Sequence, residues 1–171
     1  TQKNRIMKGF GEDEKTRKKK LKKTTSQNQS LINLAIDLHS KGKIEEASKY
    51  YKYCIKQGFN DPKVFSNYGI ILHSEGKLIE AELSTRKAIK LNTNFADAYC
   101  NLGNILRDLS KIKEAEFSYR KAIKLNPGLA EAHLNLGNIL QNLGRMKEAE
   151  SSTRRTIAVS YTHPEPTRPL H

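Results

Sequence analysis

The sequence predicts an all-α fold, a solenoid of antiparallel helix pairs, and three observations carry that expectation. First, the chain lies over itself at an offset of 34 residues without insertion, most visibly in "NLGNIL" at residues 101–106 and again at 135–140. A fixed period of this size marks a repeat architecture. Second, each period holds two apolar stretches of helical spacing on either side of a short break. Third, hydrophobic residues make up only 36% of the chain and Trp is absent. That is too little for a large aromatic core and enough for a thin stack of helices.

Four blocks follow: residues 28–61, 62–95, 96–129 and 130–159, the last incomplete. The first helix of each block carries apolar or small residues at its fourth, seventh, eighth and eleventh places, as in Tyr99, Leu102, Gly103 and Leu106. Those spacings fall on one side of a helix at about 100° per residue, the side expected to form the core. His133 occupies the fourth place in the last block and is expected to pack there like Tyr99. The break places Gly42, Gly76 and Gly144 where a helix end needs a left-handed residue. Ser110 stands in for that glycine once, so the third turn is expected to be strained. The second helix then repeats Ala47, Ala81, Ala115 and Ala149 at one place and Ile55, Ile89, Ile123 and Ile157 at another. An alanine repeated at one register position implies close helix approach.

Block three, with Gly103, Ala115, Tyr119, Ala122 and Pro127, resembles the tetratricopeptide repeat, whose pattern has glycine eighth, alanine twentieth and twenty-seventh, a large residue near the twenty-fourth place and proline thirty-second. The resemblance spans residues 28 to about 158 and implies a right-handed α-solenoid of about four tetratricopeptide repeats. Thr85 and Thr153 depart from it at the large residue, Cys54 and Thr156 at the second alanine, and Phe59 and Thr93 at the proline. Block one also ends differently, through "GFNDP". Each repeat buries its apolar side on its neighbours, so about three are needed for stability.

The formal charge of +13 is unevenly spread: residues 1–27 hold ten Lys or Arg against three acids, and +7 of the total resides there. This Lys-rich leader is expected to be disordered. Its bland reading is a solvated segment, and its functional reading is weak, nonspecific attraction to RNA, DNA or an anionic membrane. At the other end, residues 160–171 are Pro-rich, lack the repeat pattern and are expected to form a disordered, artefactual tail on a truncated piece of a longer protein. Met7 is a candidate initiator. Two widely spaced cysteines suggest neither a disulfide framework nor a zinc site; Cys54 is expected to be inert and Cys100 partly exposed. With no signal peptide and no apolar run long enough to span a bilayer, the expected location is cytoplasmic. Heavy use of Lys, Asn and Ile suggests an AT-rich genome, and the "NLGNIL"-type repeats resemble those of bacterial tetratricopeptide-repeat proteins.

No P-loop, dinucleotide fingerprint, nucleophile elbow or HExxH spacing occurs, so no catalytic residue, cofactor or metal is assigned. His39 and His73 share the twelfth repeat place, about 8–10 Å apart on neighbouring helices, which does not bring both to one zinc ion.

The asparagines are more informative. Asn33, Asn67, Asn101 and Asn135 occupy the sixth place of all four blocks, and Asn104 and Asn138 the ninth place of the last two. The sixth place lies more than about 120° round the helix from the centre of the apolar side, so the core does not require it. In the tetratricopeptide family the first helices line the groove, which implies a stripe of amides inside it. An amide both donates and accepts, so it can grip a peptide main chain without reading side chains. The stripe is similar to the asparagine ladder of the repeat domain in O-linked N-acetylglucosamine transferases. The competing reading is that Asn recurs there by duplication alone. A groove for a C-terminal carboxylate is disfavoured, because the fifth and ninth places hold no basic residue. The expected function is a non-catalytic scaffold that binds an extended peptide segment through Asn33, Asn67, Asn101, Asn104, Asn135 and Asn138. Two alternatives stay open: the substrate-recruiting part of a larger glycosyltransferase or sulfotransferase, and an adaptor working through its basic leader.

Overall fold

A computed structural model describes residues 26–162, with side chains described as far as Arg155. Eight helices are present among them: α1 (residues 26–40), α2 (Ile44–Lys56), α3 (Pro62–Ser74), α4 (Leu78–Leu91), α5 (Ala96–Asp108), α6 (Ile112–Leu125), α7 (Ala130–Asn142) and α8 (Met146–Thr162). They fall into two units that divide between Phe59 and Asn60. Most of the leader and of the tail lies outside the described residues. Two boundaries move: helix is already formed at Ser26 and Gln27, and α8 runs on through residues 160–162, which were expected in the tail. No residue from 160 to 162 breaks a helix; the first proline is Pro164.

In the first unit, α1 and α2 bury Ile32, Ala35, Leu38, Ala47, Tyr51 and Cys54. The His39 and Tyr51 rings meet edge to face at 6.0 Å between centroids. The "GFNDP" segment is written in cap chemistry, ending one helix and starting the next. Gly58, at φ 77°, ends α2 with Phe59 N–H donating to the Cys54 carbonyl at 3.0 Å. Asp61 then caps α3, accepting from the Lys63 amide at 2.7 Å, with Pro62 in the first turn.

In the second unit α3 packs on α4, α5 on α6 and α7 on α8. The hairpins are joined through α4 on α5 and α6 on α7, and the first helices touch as α3 on α5 and α5 on α7. That double engagement corrects the expected apolar side. The third and tenth places of the first helices, Val64, Ala98 and Ala132 with Ile71, Ile105 and Ile139, are fully buried, whereas Phe65 and Tyr99 at the fourth are only half-buried. A helix held by its own second helix and by neighbouring first helices needs a wider apolar arc than one contact would. The repeated alanines are buried as expected, Ala81 and Ala115 completely.

The eighth-place glycines are set by what lies beneath them. A Cβ on Gly103 would stand 2.5 Å from the Tyr119 ring, and on Gly69 it would collide with the Thr85 hydroxyl. Ser110 adopts φ 61°, the left-handed conformation that Gly42, Gly76 and Gly144 take at the same turn. The third turn is strained as the sequence suggested.

Candidate functional site

The amide stripe is built on α3, α5 and α7, where Asn67, Asn101 and Asn135 are each partly buried. Two of them reach to the preceding first helix. Asn101 Nδ2 donates to Ser66 Oγ at 3.3 Å, and Asn135 Nδ2 donates to Asn104 Oδ1 at 2.8 Å. Asn104 is the most engaged residue of the set. Its Oδ1 also accepts from the buried Tyr119 hydroxyl at 2.7 Å, and its Nδ2 donates to Glu131 Oε1 at 2.9 Å. Asn138, its equivalent one repeat later, is exposed. Asn33 is exposed on α1 and accepts from Gln29 Nε2 at 3.0 Å; it belongs to the first unit and is not placed relative to the other five.

One cluster of charges on this side is paired. His73 Nε2 and Asp108 Oδ2 lie 2.7 Å apart between α3 and α5, and Arg107 Nε donates to Asp108 Oδ1 at 3.0 Å. Burial alone would raise the Asp108 carboxyl, but the hydrogen bonds from His73 and Arg107 hold it below the ordinary aspartate range. Burial also pushes the Tyr119 hydroxyl above its ordinary range, so it stays protonated and donates to Asn104. The surface therefore presents amides beside a paired His73–Asp108–Arg107 cluster, with Asn138 and the remaining N–H and carbonyl groups of Asn101 as uncommitted positions.

Several expectations about other residues are settled by burial. Cys100 is not partly exposed: it is 2% accessible, and burial together with Glu131 and Asp97 pushes its thiol up to about 12, which keeps it unreactive. The fifth place that it occupies is turned into the stack by the neighbouring first helix. His133 is buried in the core as expected, its Nε2–H donating to the Pro127 carbonyl at 3.0 Å. Among the described residues no three His, Cys, Asp or Glu side chains gather where they could hold a metal, and no helix is long and apolar enough to cross a membrane.

Sequence reasoning missed the residues that hold the stripe and a second set on the other helices. Glu82, 8% accessible, takes Arg86 Nε at 2.8 Å on its own helix and Nζ of Lys111, the residue before α6, at 2.8 Å, while Arg86 Nη2 reaches Glu114 at 2.8 Å. The pattern repeats one rung later, where Arg145 meets Glu116 at 2.9 Å and Arg120 meets Glu148 at 3.0 Å. A signal for this ladder was present: Glu82, Glu116 and Glu150, and Arg86, Arg120 and Arg154, each recur at the 34-residue offset.

Family profiles described as tetratricopeptide repeat match residues 96–129 and residues 118–151. No curated protein sequence matches the chain. Among solved structures, MamA is similar at 21% identity over 79% of this chain and 79% of its own, with a TM-score of 0.71. The pilF protein of Pseudomonas aeruginosa is similar at 17% identity over 80% of this chain and 63% of its own, with a TM-score of 0.70. YrrB, described as a TPR protein with an unusual peptide-binding site, is similar at 25% identity over 78% of this chain and 69% of its own, with a TM-score of 0.66.

Proposed function

We propose, for a chain that is a tetratricopeptide-repeat protein, that it serves as a non-catalytic interaction scaffold holding an extended peptide segment along the amide side of its first helices. The observation that carries this reading is the surplus of amide valences beside the paired His73–Asp108–Arg107 cluster. Asn101 spends one N–H on Ser66, and Asn138 stands exposed one repeat from the fully engaged Asn104. Side-chain amides at a helix spacing of about 8–10 Å meet an extended strand at roughly every third residue. YrrB, similar in fold, is described as having a peptide-binding site of its own, which supports the class of ligand.

The test uses a peptide selected from a displayed library against the whole chain. Asn138→Ala should weaken that peptide severalfold and leave the melting temperature unchanged, because its side chain is exposed. Asn101→Ala and Asn135→Ala should reduce both affinity and stability, since each donates to a neighbouring helix. Unchanged affinity in all three variants would remove the peptide from this surface.

A further inference from the structure

A cleft of about 610 Å3 opens between α4, α5 and α6, within the range of about 300–1,000 Å3 in which ligand pockets fall. Tyr99, Leu102 and Leu106 of α5 form its floor, about 100–160° round that helix from Asn101. It is therefore separate from the amide surface. Ile89 of α4 and Phe117 of α6 form its walls, and the Phe117 side chain is 68% exposed. The cleft exists because α4 packs on α3 and α5 while α6 packs on α5 and α7. What crosses from α4 to α6 and the residue that precedes it are the ion pairs Arg86–Glu114 and Glu82–Lys111, each at 2.8 Å.

The rim is cationic. Arg86, Lys90 and Lys113 line the cleft against the single carboxylate Glu114, which Arg86 already neutralises. Neither Lys90 nor Lys113 enters an ion pair among the described residues, and Lys121 Nζ stands 6.0 Å from the Tyr99 ring centroid. One repeat later the same register positions form a smaller cleft of about 320 Å3, where His133 and Ser151 replace Tyr99 and Phe117. The rings are thus particular to the α4–α6 cleft and are not a requirement of the repeat.

We propose that this cleft binds an acidic segment of a partner protein, which inserts one large apolar side chain among Ile89, Tyr99, Leu102 and Phe117 and lays flanking carboxylates on Lys90 and Lys113. An apolar anchor in a pocket with a charged surround is the usual composition of a binding hot spot. The charge argues for another protein over a second copy of this chain, because a chain of net charge +13 brings further cations to a cationic rim.

The experiment titrates the full chain into a fluorescein-labelled peptide, Asp-Glu-Asp-Glu-Phe-Glu-Asp-Glu-Asp, and reads fluorescence anisotropy. Phe117→Ser, which installs the residue found at Ser151, should weaken binding about tenfold, a hot-spot loss, with an unchanged melting temperature. Replacing the peptide's Phe by Ala should do the same. The double variant Lys90→Glu with Lys113→Glu should abolish binding, and it decides the matter if Phe117→Ser fails to fold. Asn138→Ala on the amide surface should change nothing. The proposal is overturned if the peptide binds Phe117→Ser as tightly as the parent chain, which would leave the leader lysines as the attraction. It is equally overturned if Asn138→Ala abolishes binding, or if sedimentation shows a dimer that Phe117→Ser dissolves.

Discussion

The two copies of "NLGNIL" are identical in sequence and occupy different environments. In α5, Gly103 lies over the ring of Tyr119, whose hydroxyl passes beneath the helix to Asn104. In α7, Gly137 lies over Thr153, which turns its hydroxyl back to the Ala149 carbonyl at 3.0 Å and leaves Asn138 in solvent. The first copy is therefore a structural joint, with Asn104 tied to α6 and α7, and the second copy is a presented surface. One residue of the second helix, sixteen positions after the glycine, separates the two outcomes.

The largest break of that contrast comes from the glycines. Gly103→Ala places a Cβ against the backed, buried Tyr119 ring and should cost about 1–3 kcal/mol by overpacking. Gly137→Ala meets chiefly the Thr153 hydroxyl at 2.8 Å, a small group on a partly open side chain, and should cost clearly less. Denaturant midpoints of the two variants measure the difference, and equal losses would contradict the asymmetry.

The asparagines come next. Asn104→Ala leaves the buried Tyr119 hydroxyl without an acceptor and should destabilise by about 1–3 kcal/mol, whereas Asn138→Ala should stay within about 0.5 kcal/mol. Tyr119→Phe with Asn104→Ala should recover part of the loss in a double-mutant cycle, because both ends of the bond are then removed.

The turns that follow the two copies offer a smaller effect of opposite sign. α5 ends at Ser110 with φ 61° and α7 at Gly144 with φ 72°. Ser110→Gly should stabilise by about 1 kcal/mol through relief of the left-handed strain, read as a higher melting temperature. Gly144→Ser should do the reverse.

The smallest expected difference is in acid. The thirteenth place of the first-helix register is Asp108 after the first copy and Asn142 after the second. Asp108 is held below its ordinary value of 3.8, so its contribution is fully present above that value and is lost as pH falls through the lower, folded value. Its side chain is 37% exposed, and solvent screening keeps the contribution modest. Asp108→Asn should lower stability at neutral pH by that modest amount, leave stability in acid unchanged, and so flatten the acid limb of the profile. An unchanged limb would show that His73 and Arg107 do not stabilise the carboxylate.

Much of the fold was legible in the sequence because repeat packing writes itself at fixed offsets. The alanines at the twentieth place, the turn glycines and the substitution at Ser110 all mark sites where close approach or a positive φ admits few residues. The burial of Val64, Ile71 and their equivalents was not legible from one helix's periodicity, since it comes from neighbouring first helices. Cys100 was misjudged for the same reason. The candidate site was legible as a set of residue types. Its division into engaged and exposed members was not.

The sequence alone determined a 34-residue period, helix pairs joined at left-handed turns, and an asparagine at the sixth place of every block. Only the tertiary structure decided that Asn104 is bound from three sides while Asn138 is exposed. It likewise decided that the recurring Glu and Arg residues of the second helices bridge successive hairpins over an apolar cleft. The physical reason is that helical periodicity orders residues around one axis, whereas a hydrogen bond or ion pair needs two helices at a set distance, and that distance is fixed by the side chains packed between them.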